Sequence, residues 1–169
     1  MLCMLAKLDT AATEKLAALQ DAAPADFPGR RPLHGHITLA AYTGPDEASF
    51  LRFGRTLADG LPAFSVAYEK LAVLEETSIL AALPEKTGAL AELHRRAAEV
   101  FGGELDPWTR DAAWLPHTTL FYAPEADLQA LCRRLSANFA PFSARVCALE
   151  FSRVLPSGYE IPDRVSLPG

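Results

Sequence analysis

The chain has 169 residues, half of them apolar and 22% charged, and 16 basic against 21 acidic side chains leave a net charge of −5. That size and composition fit one globular domain, residues 1–169, and not a disordered chain. They exclude partners that need a basic face, long duplex nucleic acid above all, and there is no apolar run of about 18 residues to cross a membrane.

Met1–Leu8 reads as a buried strand, without the basic leader or small-residue cleavage site of a signal peptide. Ala11–Ala22 has helical spacing, with Leu16 and Leu19 on one face and Thr10 as a cap. A Pro- and Gly-rich loop, 23–32, carries Arg30 and Arg31. His34–Tyr42 alternates like a strand, and Gly44-Pro45-Asp46 then opens a helix with Phe50, Phe53, Leu57 and Leu61 on one side. Strands follow at Phe64–Leu74 and Ser78–Leu83.

The same order then recurs. Lys86–Phe101 is a helix, 102–113 an irregular loop with Arg110, and Trp114–Tyr122 a strand. Pro124-Glu125 opens a helix that turns Leu128, Leu131, Cys132, Leu135 and Phe139 inward. Ser143–Leu155 is a strand, and after Pro156-Ser157-Gly158 the tail Tyr159–Leu167 forms its hairpin partner. The β-α-β-α-β order, read twice, suggests an α+β arrangement with helices on one face of each sheet. Order alone also permits a parallel sheet, and periodicity does not choose between them. Cys3, Cys132 and Cys147 are odd in number and far apart. That pattern predicts free thiols in a reducing, cytoplasmic setting and no zinc site.

Two segments carry chemistry. His34-Gly35-His36-Ile37-Thr38-Leu39 and Pro116-His117-Thr118-Thr119-Leu120 each contain His-x-Thr followed by Leu, and their motif histidines stand 81 residues apart, near half the chain length. Side chains at i and i+2 of a strand share a side, so His36 faces with Thr38 and His117 with Thr119. Brought together, two imidazoles and two hydroxyls suit metal-free cleavage of a phosphodiester. With an ordinary pKa near ~6.5, one ring can be neutral and remove a proton while the other is protonated and delivers one. The hydroxyls can donate to the phosphoryl oxygens where charge accumulates.

These paired tetrapeptides resemble the 2H phosphoesterase superfamily, which includes the bacterial 2′-5′ RNA ligase-like proteins. The resemblance runs through the element order of nearly the whole chain. It implies a bilobal, duplicated α+β scaffold: two antiparallel-type sheets facing a central cleft, with helices outside. The lobes would be about 1–75 and 76–169, with terminal strands that can be exchanged between them. It also implies no cofactor or metal, and His36 and His117 as catalytic residues. Thr38 and Thr119 are then the phosphate-binding hydroxyls. The implied substrates are 2′,3′-cyclic phosphates, 2′-5′ linkages or small cyclic nucleotide phosphates. Some RNA-acting members have a basic residue soon after the motif, whereas Ala40-Ala41 and Phe121-Tyr122 stand here. With the acidic balance, this points to a small nucleotide or a short RNA end.

Further candidates follow from position. By strand parity Tyr42 and Phe121 share the cleft face and are placed to stack on a base. Arg31 and Arg110 precede the two motif strands, within reach of a phosphate. His34 shares the His36 face at the cleft rim. His94 and the pairs Arg95-Arg96 and Arg133-Arg134 read as solvated helix positions. Trp114, at odd parity to His117, packs toward a helix, while Trp108 sits in a loop where periodicity does not place it.

Overall fold

The computed structural model describes residues 1–156 and 158–169; Ser157 of the predicted hairpin turn lies outside them. The described residues form β1 (Leu2–Leu8), α1 (Thr10–Asp21), β2 (His36–Tyr42), α2 (Glu47–Ala58), β3 (Phe64–Val73), β4 (Ile79–Pro84), α3 (Gly88–Val100), β5 (Thr118–Tyr122), α4 (Leu128–Ser136), β6 (Phe142–Leu155) and β7 (Gly158–Ser166). Each α-helix starts with the same device. The side chains of Asp9, Asp46, Thr87 and Asp127 accept a hydrogen bond from the backbone N–H three residues on, satisfying a donor that the first turn cannot. Asp9, not Thr10, caps α1.

The strands make one antiparallel sheet, not the two expected. Its order is β2-β1-β6-β3-β4-β5, with β7 added along β6. The reason is a long-range seam, Phe64–Tyr68 of β3 against Val146–Phe142 of β6. The third strand of each β-α-β-α-β run therefore pairs with the first strand of the other run, β6 with β1 and β3 with β4. This order also sends the two motif strands to opposite ends of the sheet.

The helices cover one face. Leu16 of α1, Phe50 and Leu57 of α2, Leu90 and Leu93 of α3, and Leu128, Leu131 and Leu135 of α4 bury against Met4, Ile37, Leu39, Leu80, Leu120 and Phe151 of the strands. A fully buried side chain of this kind contributes roughly 1.5–3 kcal/mol, so the helix-facing side is where the stability lies. The opposite face of β1 and β2 carries only Cys3, Leu5 and Ala41 as a buried cluster, leaving room for a cleft. The three cysteines are free. Among the described residues no helix is long and apolar enough to cross a membrane.

Candidate active site

Both motif strands begin later than alternation suggests. Gly35 has a φ of +67°, a conformation natural to glycine, so β2 starts at His36 and His34 lies in the preceding loop. In the second segment Trp114 likewise precedes the strand, which starts at Thr118.

Each strand then carries a bulge immediately after the motif threonine. In β2, Thr38 pairs with Leu5 and Ala40 with Met4, leaving Leu39 as the extra residue. In β5, Thr119 pairs with Ala81 and Phe121 with Leu80, leaving Leu120 extra. An inserted residue inverts the inside–outside alternation beyond it. This overturns the parity argument for Tyr42 and Phe121. Both are wholly buried in the helix-side core, and the Tyr42 hydroxyl donates to the Ala97 carbonyl at 2.6 Å. The residue turned outward instead is Tyr122, 48% exposed.

The freed carbonyls at the bulges have matching partners. His94 Nδ1 donates to the Leu39 carbonyl at 2.7 Å, and Gln20 Nε2 donates to the Leu120 carbonyl at 2.5 Å. Helix α3 thus latches the first motif strand and α1 latches the second. His94 is not a solvated residue. It is 2% exposed, stacks on Trp114 with ring centroids 3.8 Å apart, and its Nε2 bonds Asp111 at 2.9 Å. Trp114, helix-packed as expected, donates its indole N–H to the Thr38 carbonyl at 2.9 Å.

The ends of the sheet meet through Thr118. Its hydroxyl donates to the His36 carbonyl at 2.8 Å and lies 2.6 Å from the Tyr68 hydroxyl. As a result His36, Thr118 and Thr119 line one cavity together with Arg31, His34, Tyr122 and Tyr159. His36 and Thr38 line an adjoining one with Arg31 and Tyr159, and His117 borders a third, apolar groove. The Arg31 guanidinium sits 6.0 Å from the Tyr122 ring centroid, within cation–π range. Arg110 stays in its own loop, with Nη2 3.5 Å from the Leu105 carbonyl, and lines none of the three.

Both motif rings are held below the ordinary imidazole pKa. Burial pushes the His36 pKa down to about 4, helped by the charges of His34, Lys7 and His117 and opposed by Glu150. His117 also falls below its ordinary value through burial, against a hydrogen bond to the Leu115 carbonyl. That bond is 2.8 Å long and uses Nδ1. A carbonyl only accepts, so Nδ1 carries the proton and Nε2 keeps a lone pair in the neutral ring. His34 is held at its other side. Its Nε2 lies 2.5 Å from Glu150 Oε2, and its ring centroid is 5.3 Å from that of His36. Burial raises the Glu150 carboxyl, but the His34 hydrogen bond and the charges of His34, Lys7 and Arg164 outweigh it and keep the carboxyl below its usual range.

Thr118, Glu150, Gln20, His94, Tyr122 and Tyr159 were not singled out from sequence as parts of this site. Three of them carry a local signal. Gln20 follows Ala12 and Leu16 at helical spacing, His94 lies between Leu90 and Ala97 on the apolar face of α3, and Glu150 interrupts the apolar run Val146–Phe151.

Comparison with known families assigns residues 8–155 to the 2′-5′ RNA ligase superfamily. The chain belongs to that superfamily of phosphoesterases and ligases. A comparison with curated proteins found no match. Among solved structures, TT0787 of Thermus thermophilus aligns with a TM-score of 0.69 at 20% identity, over 99% of this chain and 98% of that one. LigT of E. coli complexed with NADP+ aligns at 0.70 and 15% identity over the same shares, and LigT with 3′-AMP at 0.66 and 16%. At these identities the structural likeness speaks for the α+β fold alone, and membership of the superfamily rests on the match over residues 8–155.

Proposed function

We propose that this superfamily member is a phosphodiesterase that opens 2′,3′-cyclic phosphates by two-histidine acid–base catalysis. In hydrolysis one ring takes a proton from water as its oxygen bonds to phosphorus. The bond from phosphorus to a ribose oxygen breaks, and the other ring protonates that oxygen, giving a phosphate monoester. Each proton transfer typically contributes ~10²–10⁴ in rate. Thr38 and Thr119 donate to the non-bridging oxygens, and Arg31 meets further anionic charge. The imidazoles supply both proton transfers without calling on a metal. A 5′-hydroxyl in place of water makes a 2′-5′ linkage, so ligation and hydrolysis share one site.

The observation that carries this reading is the Thr118 bridge, which draws His36 and Thr119 from opposite ends of the sheet into one cavity. LigT of E. coli, which shares the fold, has been crystallised with NADP+ and with 3′-AMP, and a nucleotide is the class of substrate read for this chain. The test is turnover of nucleoside 2′,3′-cyclic phosphates, an ADP-ribose cyclic phosphate, a 2′-5′ dinucleotide and an RNA with a cyclic end. His36→Ala and His117→Ala should each abolish it. Retained turnover in both variants rules the mechanism out. Tight binding of the whole panel without turnover would favour a sensor of phosphorylated nucleotides.

A further inference from the structure

The two sides of the site differ in chemistry. On the His36 side the cavities carry Arg31, His34 and Tyr159. On the His117 side the groove is walled by Val73, Ile79, Leu83, Leu115 and Trp108, and its volume is about 580 Å³. That lies in the range of roughly 300–1,000 Å³ found for small-molecule sites. Trp108 is 61% exposed and Leu115 49%, in a chain with few large apolar groups in water. Of the seven such residues described, five line the three cavities at the motifs. Exposed apolar surface gathered in this way marks a binding site and not chance exposure.

We propose that the groove is a second subsite, which binds the nucleobase of the alcohol that attacks or leaves beside His117. The proposal rests on the two-histidine reading and deepens it. Phosphate does not suit the groove, because the charged residue lining it is Glu75. An aromatic base does. The Trp108 indole offers a stacking face, and the Glu75 carboxylate can accept from an exocyclic amine. The groove and the reacting centre are joined through Leu115, whose side chain lines the wall and whose carbonyl holds His117 Nδ1.

The substrate is thereby oriented. His117 faces the exchanging alcohol and His36 the ribose oxygens. In cleavage of a 2′-5′ dinucleotide, the 3′-hydroxyl loses its proton to His36 and bonds to phosphorus. The 5′-oxygen leaves with a proton from His117, and a 2′,3′-cyclic phosphate remains. In hydrolysis water takes the place of the 5′-oxygen and the proton flow reverses. Substrates with a nucleoside on the exchanging side therefore gain from the groove, by roughly 5- to 150-fold for one stacked base.

Two measurements test this. The chain has two tryptophans; Trp114 is buried against His94, so Trp108 reports on the groove. Adenosine should quench its emission saturably, and Trp108→Phe should lose that response. Trp108→Ala should then lower the ratio of kcat/KM for a 2′-5′ dinucleotide over a nucleoside 2′,3′-cyclic phosphate by about tenfold, with Trp108→Phe restoring it. No quenching, or an unchanged ratio, overturns the subsite while turnover of cyclic phosphates leaves the enzymatic reading intact. Quenching by adenosine in a protein that turns over neither substrate supports the groove and overturns the reading.

Discussion

The hydroxyl of Thr118 donates to the backbone carbonyl of His36 at 2.8 Å, so the middle residue of the second motif fixes the histidine of the first. Thr118 and Tyr68 are both buried, and burial raises the Tyr68 phenol above its ordinary pKa, keeping it protonated as a donor to Thr118. Replacing Thr118 by Val leaves a buried carbonyl and a buried phenol unpaired, at a cost of roughly 1–3 kcal/mol each. The expected result is a lower urea midpoint and at least a tenfold loss of turnover. Thr118→Ser should restore both, since only the hydroxyl is needed.

The two bulge latches give a paired prediction. His94→Leu and Gln20→Leu each strip the partner from a bulge carbonyl. Each should destabilise by about 1–3 kcal/mol and lower turnover by loosening the adjacent motif threonine. His94→Leu should weaken phosphate binding through Thr38, and Gln20→Leu through Thr119. Inhibition by inorganic phosphate measures this.

Inversion of parity separates two tyrosines. Tyr42→Phe removes one buried hydrogen bond and should cost about 0.5–1.5 kcal/mol, read by denaturant melts, with KM unmoved. Tyr122→Ala removes an exposed ring beside Arg31 and should raise KM with little loss of stability. Were parity unbroken, the two outcomes would exchange.

The low His36 pKa has consequences for pH. An unfolded histidine binds a proton near pH ~6.5, whereas His36 in the folded protein does so at about 4. The unfolded chain therefore holds more protons in that window, and stability falls as pH drops through it, by about 3 kcal/mol for this group. His36→Asn should flatten this part of the stability–pH curve relative to the parent. A bound phosphate anion favours the imidazolium, so binding near neutral pH should take up a proton. Calorimetry in buffers of different ionisation enthalpy detects this, and His36→Asn should abolish it.

Glu150→Gln removes the buried charge that opposes the fall of the His36 pKa and weakens the anchor of His34. Loss of that charge disfavours protonation of His36. In hydrolysis of a cyclic phosphate, where His36 protonates the departing ribose oxygen, the alkaline limb of the pH–rate profile should shift downward and turnover at pH 7 should drop.

The first motif was legible because His36 and Thr38 stand at i and i+2 of β2 and line one cavity. His117, by contrast, lies just before β5 and borders a groove that Thr119 does not line. The helices were legible from apolar spacing within each, as with Leu90, Leu93 and Ala97 of α3. What escaped was decided at a distance. Nothing local in Leu39-Ala40 or Leu120-Phe121 announces a bulge, and it is pairing with Met4–Leu5 and Leu80–Ala81 that creates one. The single sheet depends on the Phe64–Tyr68 seam with Phe142–Val146, between segments nearly eighty residues apart. His94 shows a different limit. It read as a solvated helix position although it lies between Leu90 and Ala97, and only the carbonyl of Leu39 and the ring of Trp114 explain why a buried histidine belongs there.

The exchanged third strands have a consequence for how such a chain can be cut or recombined. A break in the turn between Val73 and Ile79 takes β6 away from β1, which keeps only β2, and β3 away from β4, which keeps only β5. Neither fragment is a self-sufficient building block. The two fragments are complementary pieces, each of which supplies the template that the other needs. Two relatives could not trade halves without carrying the matching β3–β6 seam.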